Sequence, residues 1–180
     1  TRADAVTPIR RAYRGHDRVE LPPNGQGATA LLIAALLEKF DIGALDPNGA
    51  ERVHLEAEAT RLAYGARNLF VGDPGNATLS LDGMLSEAAI DALAAEIDPK
   101  RAGTLIQPRT EALHKDTVYI TVVDGDGLCV SLIYSIFWPY GSGFASVRFG
   151  IGLHNRGAGF TLEEGHVNEL RGGKRPLHTL

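Results

Sequence analysis

The sequence predicts an α+β fold, and three observations divide it into a helical part and a sheet part. Up to about residue 116, apolar residues recur at helical spacing between turns that contain Pro and Gly. From Thr117 onward, β-branched and aromatic residues dominate two runs around a Gly-containing turn. Both runs are apolar with little alternation, which indicates strands covered on both faces. Helices followed by such a sheet predict a layered sandwich.

The first part is predicted to contain three helices, over residues 28–40, 48–69 and 86–97. Residues 22–27 supply a turn rich in Pro and Gly before the first helix, and residues 72–75 end the second. Ser86 is placed to cap the N-terminus of the third helix, which ends before Pro99. Residues 100–115 show no periodicity and predict an exposed loop.

The second part is predicted to open with a β-hairpin, residues 117–123 and 128–137 around the turn 124–127. Its second strand holds the single cysteine, Cys129, so no disulfide can form within the chain. Because Cys129 lies in an apolar run, it is predicted to be a buried apolar residue rather than a reactive thiol.

Composition restricts the classes of partner. The chain has 180 residues, 44% of them apolar and 22% charged, which is typical of a globular domain. Its net charge of -4 favours neither nucleic acid nor an anionic membrane as a partner. The longest apolar run, residues 28–37, is too short to span a bilayer, and no signal peptide is visible. Cytoplasm and periplasm both stay open as compartments, and a homo-oligomer is compatible with the sequence.

Several motifs, in a fixed order, carry a family resemblance. Asp116-Thr117, a short strand, a Val-Val-Asp-x-x-Gly turn and a second strand resemble the maturation site of the gamma-glutamyltransferase family. The other matching segments are Leu21-Pro22-Pro23-Asn24-Gly25-Gln26-Gly27, Gly72-Asp73-Pro74, Tyr140-Gly141-Ser142-Gly143, residues 153–160 and Lys174-Arg175-Pro176-Leu177. Each motif is weak alone, but together they cover nearly the whole chain in the family's order.

This resemblance implies an N-terminal-nucleophile hydrolase with a four-layer αββα sandwich, of which the chain is only a central part. The chain lacks an initiator Met, and both of its ends look like cuts through a longer protein. Residues 1–116 would be the end of a large-subunit region, and residues 117–180 the start of a small-subunit region. The expected partners are the two subunits of one precursor and a small amide or gamma-glutamyl substrate. The resemblance implies no cofactor.

The resemblance also implies a nucleophile and a cleavage site. The Thr117 hydroxyl would attack the Asp116 carbonyl, and cleavage would leave Thr117 at a new N-terminus. Its α-amino group, with an ordinary pKa of about 7.7 to 8.0, can then act as the base for its own hydroxyl. Ser135 stands where the family has a second hydroxyl that supports the nucleophile. His178 and Thr179 stand where two serines hold the substrate's α-carboxylate.

The chain departs from the family pattern at the position of the substrate's ammonium group. Phe137 replaces an Asn, and Gly159 replaces an Asp, although Asn155 of the Asn-Asn segment is kept. Arg156 adds a positive charge where the family usually has Gln. The pocket is therefore expected to suit an anion or an apolar acyl group better than a free ammonium. These features resemble the branch of the family that includes oxamate amidohydrolase and cephalosporin acylase.

Two alternatives stay open. A non-catalytic, unprocessed relative could keep the fold as a binding or structural module, although retention of Thr117 and Ser135 would then be unexplained. His54 and Glu58, spaced i, i+4 on a helix, could share a metal. A solvated helix face with a weak ion pair is the favoured interpretation of that spacing, and no metal site is predicted.

Overall fold

The computed structural model describes residues 5–76, 80–104 and 117–179. Its strands are β1 (Ile9–Tyr13), β2 (His16–Glu20), β3 (Thr117–Val123), β4 (Cys129–Ser135), β5 (Ala145–Ser146) and β6 (Ile151–Gly152). Its α-helices are α1 (Gly27–Glu38), α2 (Ala50–Phe70), α3 (Leu81–Met84) and α4 (Glu87–Ala94). Single 3₁₀ turns lie at Ile42–Ala44, Pro74–Asn76 and Arg156–Gly159. Helices and strands are thus mixed, as predicted, while the four-layer arrangement stays a prediction.

The three predicted helices are present as α1, α2 and α4. The Ser86 side chain accepts a hydrogen bond from the Ala89 N–H at 3.3 Å, which confirms the predicted N-cap. The predicted loop 100–115 lies mostly outside the described residues.

Strands β1 and β2 were not predicted, because their sequences are polar and rich in arginine. They pair antiparallel, with Tyr13 opposite His16. Between them, Arg14 has φ +49° and Gly15 has φ +80°. Two successive positive φ values are typical of the tight turns that join β-hairpins. The Arg-Gly pair was the signal that could have indicated this hairpin.

The described residues of Thr1–Pro108 and Phe160–Leu177 form one compact unit. Its core is built from the apolar faces of α1 and α2, with Met84, Ile90 and Val71 packed against them. On α2, Leu55, Ala59 and Leu62 recur at i, i+4 and i+7, so one face of the helix is buried. In the described ranges, no helix combines the length and apolar composition that a bilayer crossing requires.

Residues 160–177 are attached to this unit by side-chain bonds to the helical part. Asp73 is 6% exposed, and its carboxylate accepts from Arg175 Nε at 3.0 Å and Arg175 Nη2 at 2.9 Å. The Arg175 backbone N–H donates to the same carboxylate at 3.2 Å. Asn24 Nδ2 donates to the Pro176 carbonyl at 2.6 Å. The unit therefore contains contacts between residues that precede and follow the predicted cleavage site.

One face of α2 holds the backbone of residues 98–104. His54 Nε2 lies 2.8 Å from the Asp98 carbonyl oxygen. Glu58 accepts from the Gly103 N–H at 3.1 Å and from Arg61, and Arg61 Nη1 donates to the Thr104 carbonyl at 3.1 Å. Glu58 is only 4% exposed, so the interpretation of this face as solvated is wrong at that position. The backbone of 98–104 covers it.

Replacing Glu58 with Gln is expected to destabilise the full-length protein by about 2 kcal/mol at pH 7, because a buried carboxylate loses charge-assisted bonds. The hydrogen bonds from Arg61, aided by the Gly103 N–H, hold the pKa of Glu58 below its ordinary value against the effect of burial. Because the pKa of Glu58 is lower in the folded state than in the unfolded state, its ionisation stabilises the fold at pH values above the unfolded-state pKa of about 4.3. This stabilisation is lost as the pH falls through the folded-state pKa.

Urea unfolding of wild type and Glu58→Gln between pH 7 and pH 3 measures this effect. The difference in unfolding free energy between the two proteins should shrink as the pH falls below about 4.3. A difference that stays constant over this range would show that Glu58 is not held ionised by the fold.

The described residues of Arg109–Gly159 and His178–Leu180 form a second compact unit. Its predicted hairpin is confirmed as β3 and β4, which pair antiparallel from Thr117 opposite Ser135 to Val123 opposite Cys129. The predicted burial on both faces is wrong for this chain, since Val118 is 53% exposed and Leu132 is 52% exposed. The described residues 117–159 contain no α-helix that could cover the strands. Cys129 is likewise exposed rather than buried, for the same reason.

Candidate active site

The predicted nucleophile opens the first strand of the hairpin. Thr117 is the first residue of β3 and is exposed. Its register partner is Ser135, the last residue of β4. Side chains directly opposite each other on an antiparallel pair have Cβ atoms about 4.5 to 5.5 Å apart. The hairpin register therefore brings the two hydroxyl residues together at one end of the hairpin.

The chain leaves β4 through a strained backbone. The Ser135 hydroxyl oxygen accepts from the Phe137 N–H at 3.2 Å. Phe137 has φ +81°, a left-handed value that a bulky side chain rarely adopts. Phe137 is 4% exposed, and its ring stacks on the Trp138 ring with centroids 6.0 Å apart. Strained backbone of this kind clusters at functional sites, and here it lies two residues after Ser135.

The Gly-Ser-Gly segment holds the next loop in place. Gly141 has φ +57°, and a Cβ at this position would collide with the Leu153 carbonyl oxygen. The Ser142 N–H and hydroxyl both donate to that oxygen, at 2.8 Å and 2.9 Å. Only glycine satisfies both the conformation and the close approach at position 141. The motif therefore fixes residues 153–155 next to the end of β4.

Asn155 links that loop to the backbone after β4. Its Oδ1 accepts from the Trp138 N–H at 3.1 Å, and its own N–H donates to the Ile136 carbonyl at 3.3 Å. Asn155 was predicted to bind substrate, and this role stays a prediction. The contacts described here support the backbone on either side of Phe137.

Arg156 is the central cation of the site and is 6% exposed. Its Nη1 donates to Thr179 Oγ1 at 2.9 Å, and its Nη2 lies 3.4 Å from the Ser135 carbonyl oxygen. Its guanidinium carbon lies 5.7 Å from the centroid of the Phe137 ring, within range of a cation–π interaction. Burial lowers the pKa of the Arg156 guanidinium from its ordinary value, yet an arginine keeps its charge at neutral pH.

The structure thus gathers most of the predicted site residues in the second unit. Ser135, Phe137, Arg156 and Thr179 are joined by the contacts above, and Thr117 lies opposite Ser135. Gly159 ends the 3₁₀ turn that Arg156 begins, and His178 directly precedes Thr179. Asp116, on the other side of the predicted scissile bond, lies outside the described residues.

The described ranges contain no cluster of three His, Cys, Asp or Glu side chains placed to hold a metal ion. Sequence reasoning missed the bond between Arg156 and Thr179, because the two residues are 23 positions apart. The sequence around Arg156, His154-Asn155-Arg156-Gly157, carries no signal that could have indicated it.

A sequence profile of the family described as gamma-glutamyltranspeptidase matches residues 2–180. The chain belongs to the gamma-glutamyltranspeptidase family. The resemblance of the motifs is therefore confirmed over the whole chain.

Two relatives within the gamma-glutamyltranspeptidase family illustrate its range. A glutathione hydrolase-like proenzyme, YwrD, of Bacillus subtilis strain 168 is 36% identical over 180 residues, which cover 99% of this chain and 33% of that relative. An oxamate amidohydrolase proenzyme of Klebsiella pneumoniae is 35% identical over 160 residues, which cover 89% of this chain and 29% of that relative. The chain thus spans about a third of the length of these relatives.

Solved structures agree with this assignment. Cephalosporin acylase from Bacillus halodurans superimposes with a TM-score of 0.79 at 32% identity, over 97% of this chain and 31% of that chain. Helicobacter pylori gamma-glutamyltranspeptidase superimposes with a TM-score of 0.52 at 26% identity, over 61% of this chain and 32% of that chain. The mixed helix and strand content of this chain is consistent with these two structures.

Proposed function

We propose that the protein is a self-processing amidohydrolase or acyltransferase that uses Thr117 as its nucleophile. The observation that carries the proposal is the position of Thr117 at the first residue of β3, directly opposite Ser135. A nucleophile at the start of a strand becomes an N-terminal residue when the preceding peptide bond is cut. The Ser135 hydroxyl is then close enough to support it.

Self-processing requires one acyl shift and one hydrolysis. The Thr117 hydroxyl attacks the Asp116 carbonyl, and the peptide nitrogen leaves as the α-amine of Thr117, which gives an ester. Water then hydrolyses the ester, releases the Asp116 carboxyl group and restores the Thr117 hydroxyl. The products are a large subunit that ends at Asp116 and a small subunit that begins at Thr117.

Substrate turnover repeats this chemistry between molecules. The new α-amine accepts the proton of the Thr117 hydroxyl, which attacks the substrate amide. The amine half of the substrate leaves with a proton, and its acyl half stays on Thr117 as an ester. Water or a second amine then takes the acyl group and regenerates the nucleophile. No cofactor is needed in this scheme.

The names of the relatives support the processing step, since both are called proenzymes. Those names refer to two different amides, glutathione and oxamate, so family membership alone does not fix the substrate. A small-molecule amide and the two subunits of one precursor are the proposed partners.

The intact mass of the purified full-length protein, measured under denaturing conditions, tests the proposal. Two fragments, the smaller beginning at Thr117, are expected. A single unbroken chain after long incubation would favour the alternative, an uncleaved relative that serves as a binding or structural module.

The substrate-side residues give a second, independent prediction. Replacing Phe137 with Asn and Gly159 with Asp is expected to raise hydrolysis of a gamma-glutamyl anilide by about tenfold or more, because each change adds a partner for the substrate's ammonium group. The backbone at 137 favours the change, since Asn adopts a positive φ more readily than Phe.

Initial rates on gamma-glutamyl-p-nitroanilide and on a matched acyl anilide without the ammonium group measure this change. The double variant should gain only on the first substrate, and the single variants should gain less. If the ratio of the two rates is the same in the double variant as in wild type, positions 137 and 159 do not set specificity in this protein.

A further inference from the structure

The half-buried Asn24 side chain makes a hydrogen bond to a residue 152 positions away along the chain. Its Nδ2 donates to the Pro176 carbonyl oxygen at 2.6 Å. Proline has no backbone N–H, so this carbonyl is the only backbone hydrogen-bonding group that Pro176 carries. Any hydrogen bond that holds the backbone of Pro176 must therefore be made to this oxygen, and Asn24 makes one.

The residues on either side of this proline are held as well. The Arg175 N–H donates to the Asp73 carboxylate at 3.2 Å, and the Leu177 N–H donates to Asn168 Oδ1 at 2.8 Å. The Leu177 side chain also packs against the apolar core of the helices. Proline fixes its own φ and favours an extended conformation of the residue before it. Residues 175–177, the anchored segment, are thus fixed within the first unit.

The turn that carries Asn24 is itself held in place. It joins β2 to α1, and a Cβ at Gly27 would collide with the Leu21 carbonyl oxygen, so the two ends of the turn lie in close contact. The Gln26 side-chain oxygen accepts from Arg67 Nη1, on α2, at 3.0 Å. The amide group of Asn24 therefore approaches the anchored segment from a turn that is fixed to the helices.

The anchored segment leads directly into the candidate active site. Thr179 follows Leu177 by two residues, which span at most about 7 Å along an extended chain. The Thr179 hydroxyl accepts from Arg156 Nη1 at 2.9 Å, and Arg156 Nη2 lies 3.4 Å from the Ser135 carbonyl oxygen. Ser135 is the register partner of Thr117. A shift of the anchored segment would therefore displace the acceptor that holds this guanidinium beside the end of the hairpin.

We infer that Asn24 is a positioning residue for the candidate active site, acting through the anchored segment on Thr179 and Arg156, an inference that rests on the proposed function. After a cut before Thr117, Asn24 would belong to the large fragment and Pro176 to the small one. Among the described hydrogen bonds that join residues before this cut to residues after it, the bond from Asn24 lies nearest along the chain to Thr179. Asn24 thus affects the geometry of the site without touching the substrate.

A double-mutant cycle on the full-length protein tests this coupling. Asn24→Asp keeps the shape of the side chain but replaces the donor with an oxygen that repels the Pro176 carbonyl. It should lower kcat/KM by about 10-fold, measured with whichever of the two anilides above wild type hydrolyses faster. In a Thr179→Val background, the same substitution should lower kcat/KM by less than about twofold, because the residue through which it acts is already lost. Unrelated effects on stability would be additive instead.

Asn48→Asp is the matched control, since Asn48 is exposed in the same fragment and its described hydrogen bond is made by its backbone N–H. It should keep the kcat/KM of wild type. Asn24→Ala, which lacks the donor but adds no repelling oxygen, should lie between wild type and Asn24→Asp. An additive cycle would overturn the inference, as would full activity in Asn24→Asp or an equal loss in Asn48→Asp.

Hydrogen exchange separates this inference from the proposed function, because the uncut Thr117→Ala protein needs neither cleavage nor turnover for the measurement. Asn24→Asp should speed amide exchange about 5- to 10-fold in residues 174–180, which include the two N–H donors of the anchored segment. Because Thr179 holds Arg156, exchange should rise in residues 154–159 as well. The helices α1 and α2 and the hairpin residues 121–131 should exchange as before.

This pattern would support the positioning role even if wild type proves unable to cleave itself or to hydrolyse an amide. Unchanged exchange in residues 174–180, or a rise confined to them, would overturn the inference. If exchange also rises throughout α1 and α2, the Asp variant has lost its fold, and the milder Asn24→Ala then takes its place in both measurements with the same two deciding outcomes.

Discussion

Replacing Thr117 with Ala is expected to leave the full-length protein as one uncut chain with no detectable amide hydrolysis. The variant lacks the only side-chain oxygen that the proposed mechanism uses to attack an amide carbonyl, in processing and in turnover alike. Removing the nucleophile of a hydrolase typically lowers kcat by about six orders of magnitude. Intact mass and initial rates measure the two losses separately.

Thr121→Ala provides the matched control. Thr121 lies four residues along the same exposed strand, opposite Ser131, so its loss removes the same atoms from the same type of surface. This control should be cleaved and should turn over substrate as wild type does. Normal processing in Thr117→Ala would remove Thr117 from the mechanism, whatever its rates on substrate.

A Thr117→Ser variant adds a graded result, because it keeps the hydroxyl but loses the methyl group that restricts its rotation. It should be cleaved more slowly than wild type and retain part of the turnover. Loss of all cleavage in this variant would mean that the position needs the methyl group of threonine in addition to its oxygen.

The parts of the fold that the sequence predicted are those governed by local patterns. The helix N-cap at Ser86 and the hairpin that begins at Thr117 follow from capping and turn chemistry within a few residues. The hairpin register is the direct source of the pairing between Thr117 and Ser135. Much of the candidate site could therefore be predicted once the strands were recognised.

The parts that the sequence did not predict depend on contacts distant along the chain. Glu58 was expected to be solvated, yet it is covered by the backbone near Gly103, 45 residues away. Arg156 meets Thr179 across 23 residues, and no periodic pattern connects them. Cys129 was expected to be buried because its strand is apolar, but apolar composition does not specify which element covers a strand.

The predicted cut and the compact units divide the chain differently. A cut before Thr117 would separate residues 160–177 covalently from the helical part with which they form one unit. Only noncovalent contacts would then hold them there. Among the described residues, the ion pair of those contacts is made by the buried Asp73 carboxylate, which accepts three hydrogen bonds from Arg175. It is therefore expected to determine how firmly the two fragments stay together.

Replacing Asp73 with Asn is expected to weaken the association of the processed fragments by about 2 kcal/mol, or roughly 30-fold. The value lies between those of buried and surface ion pairs, because Asp73 is buried while the Arg175 side chain is 57% exposed. Size-exclusion chromatography of the processed full-length protein in increasing urea should show the fragments separating at a lower concentration than in wild type. The same substitution in the uncut Thr117→Ala protein should lower stability without releasing any fragment.

Glu169→Gln is the control for Asp73→Asn. It distinguishes the loss of an ion pair between the two fragments from a general loss of stability. Glu169 pairs with Arg171 at 2.6 Å, and both residues follow the predicted cut, so this ion pair lies within one fragment. Loss of this ion pair should change the urea concentration at which the two fragments separate much less than Asp73→Asn does. If the two substitutions promote separation equally, the bond between Asp73 and Arg175 has no special part in holding the fragments. Because the Asp73 carboxylate also binds the Arg175 backbone N–H, an Arg175→Gln variant should reproduce only part of the effect.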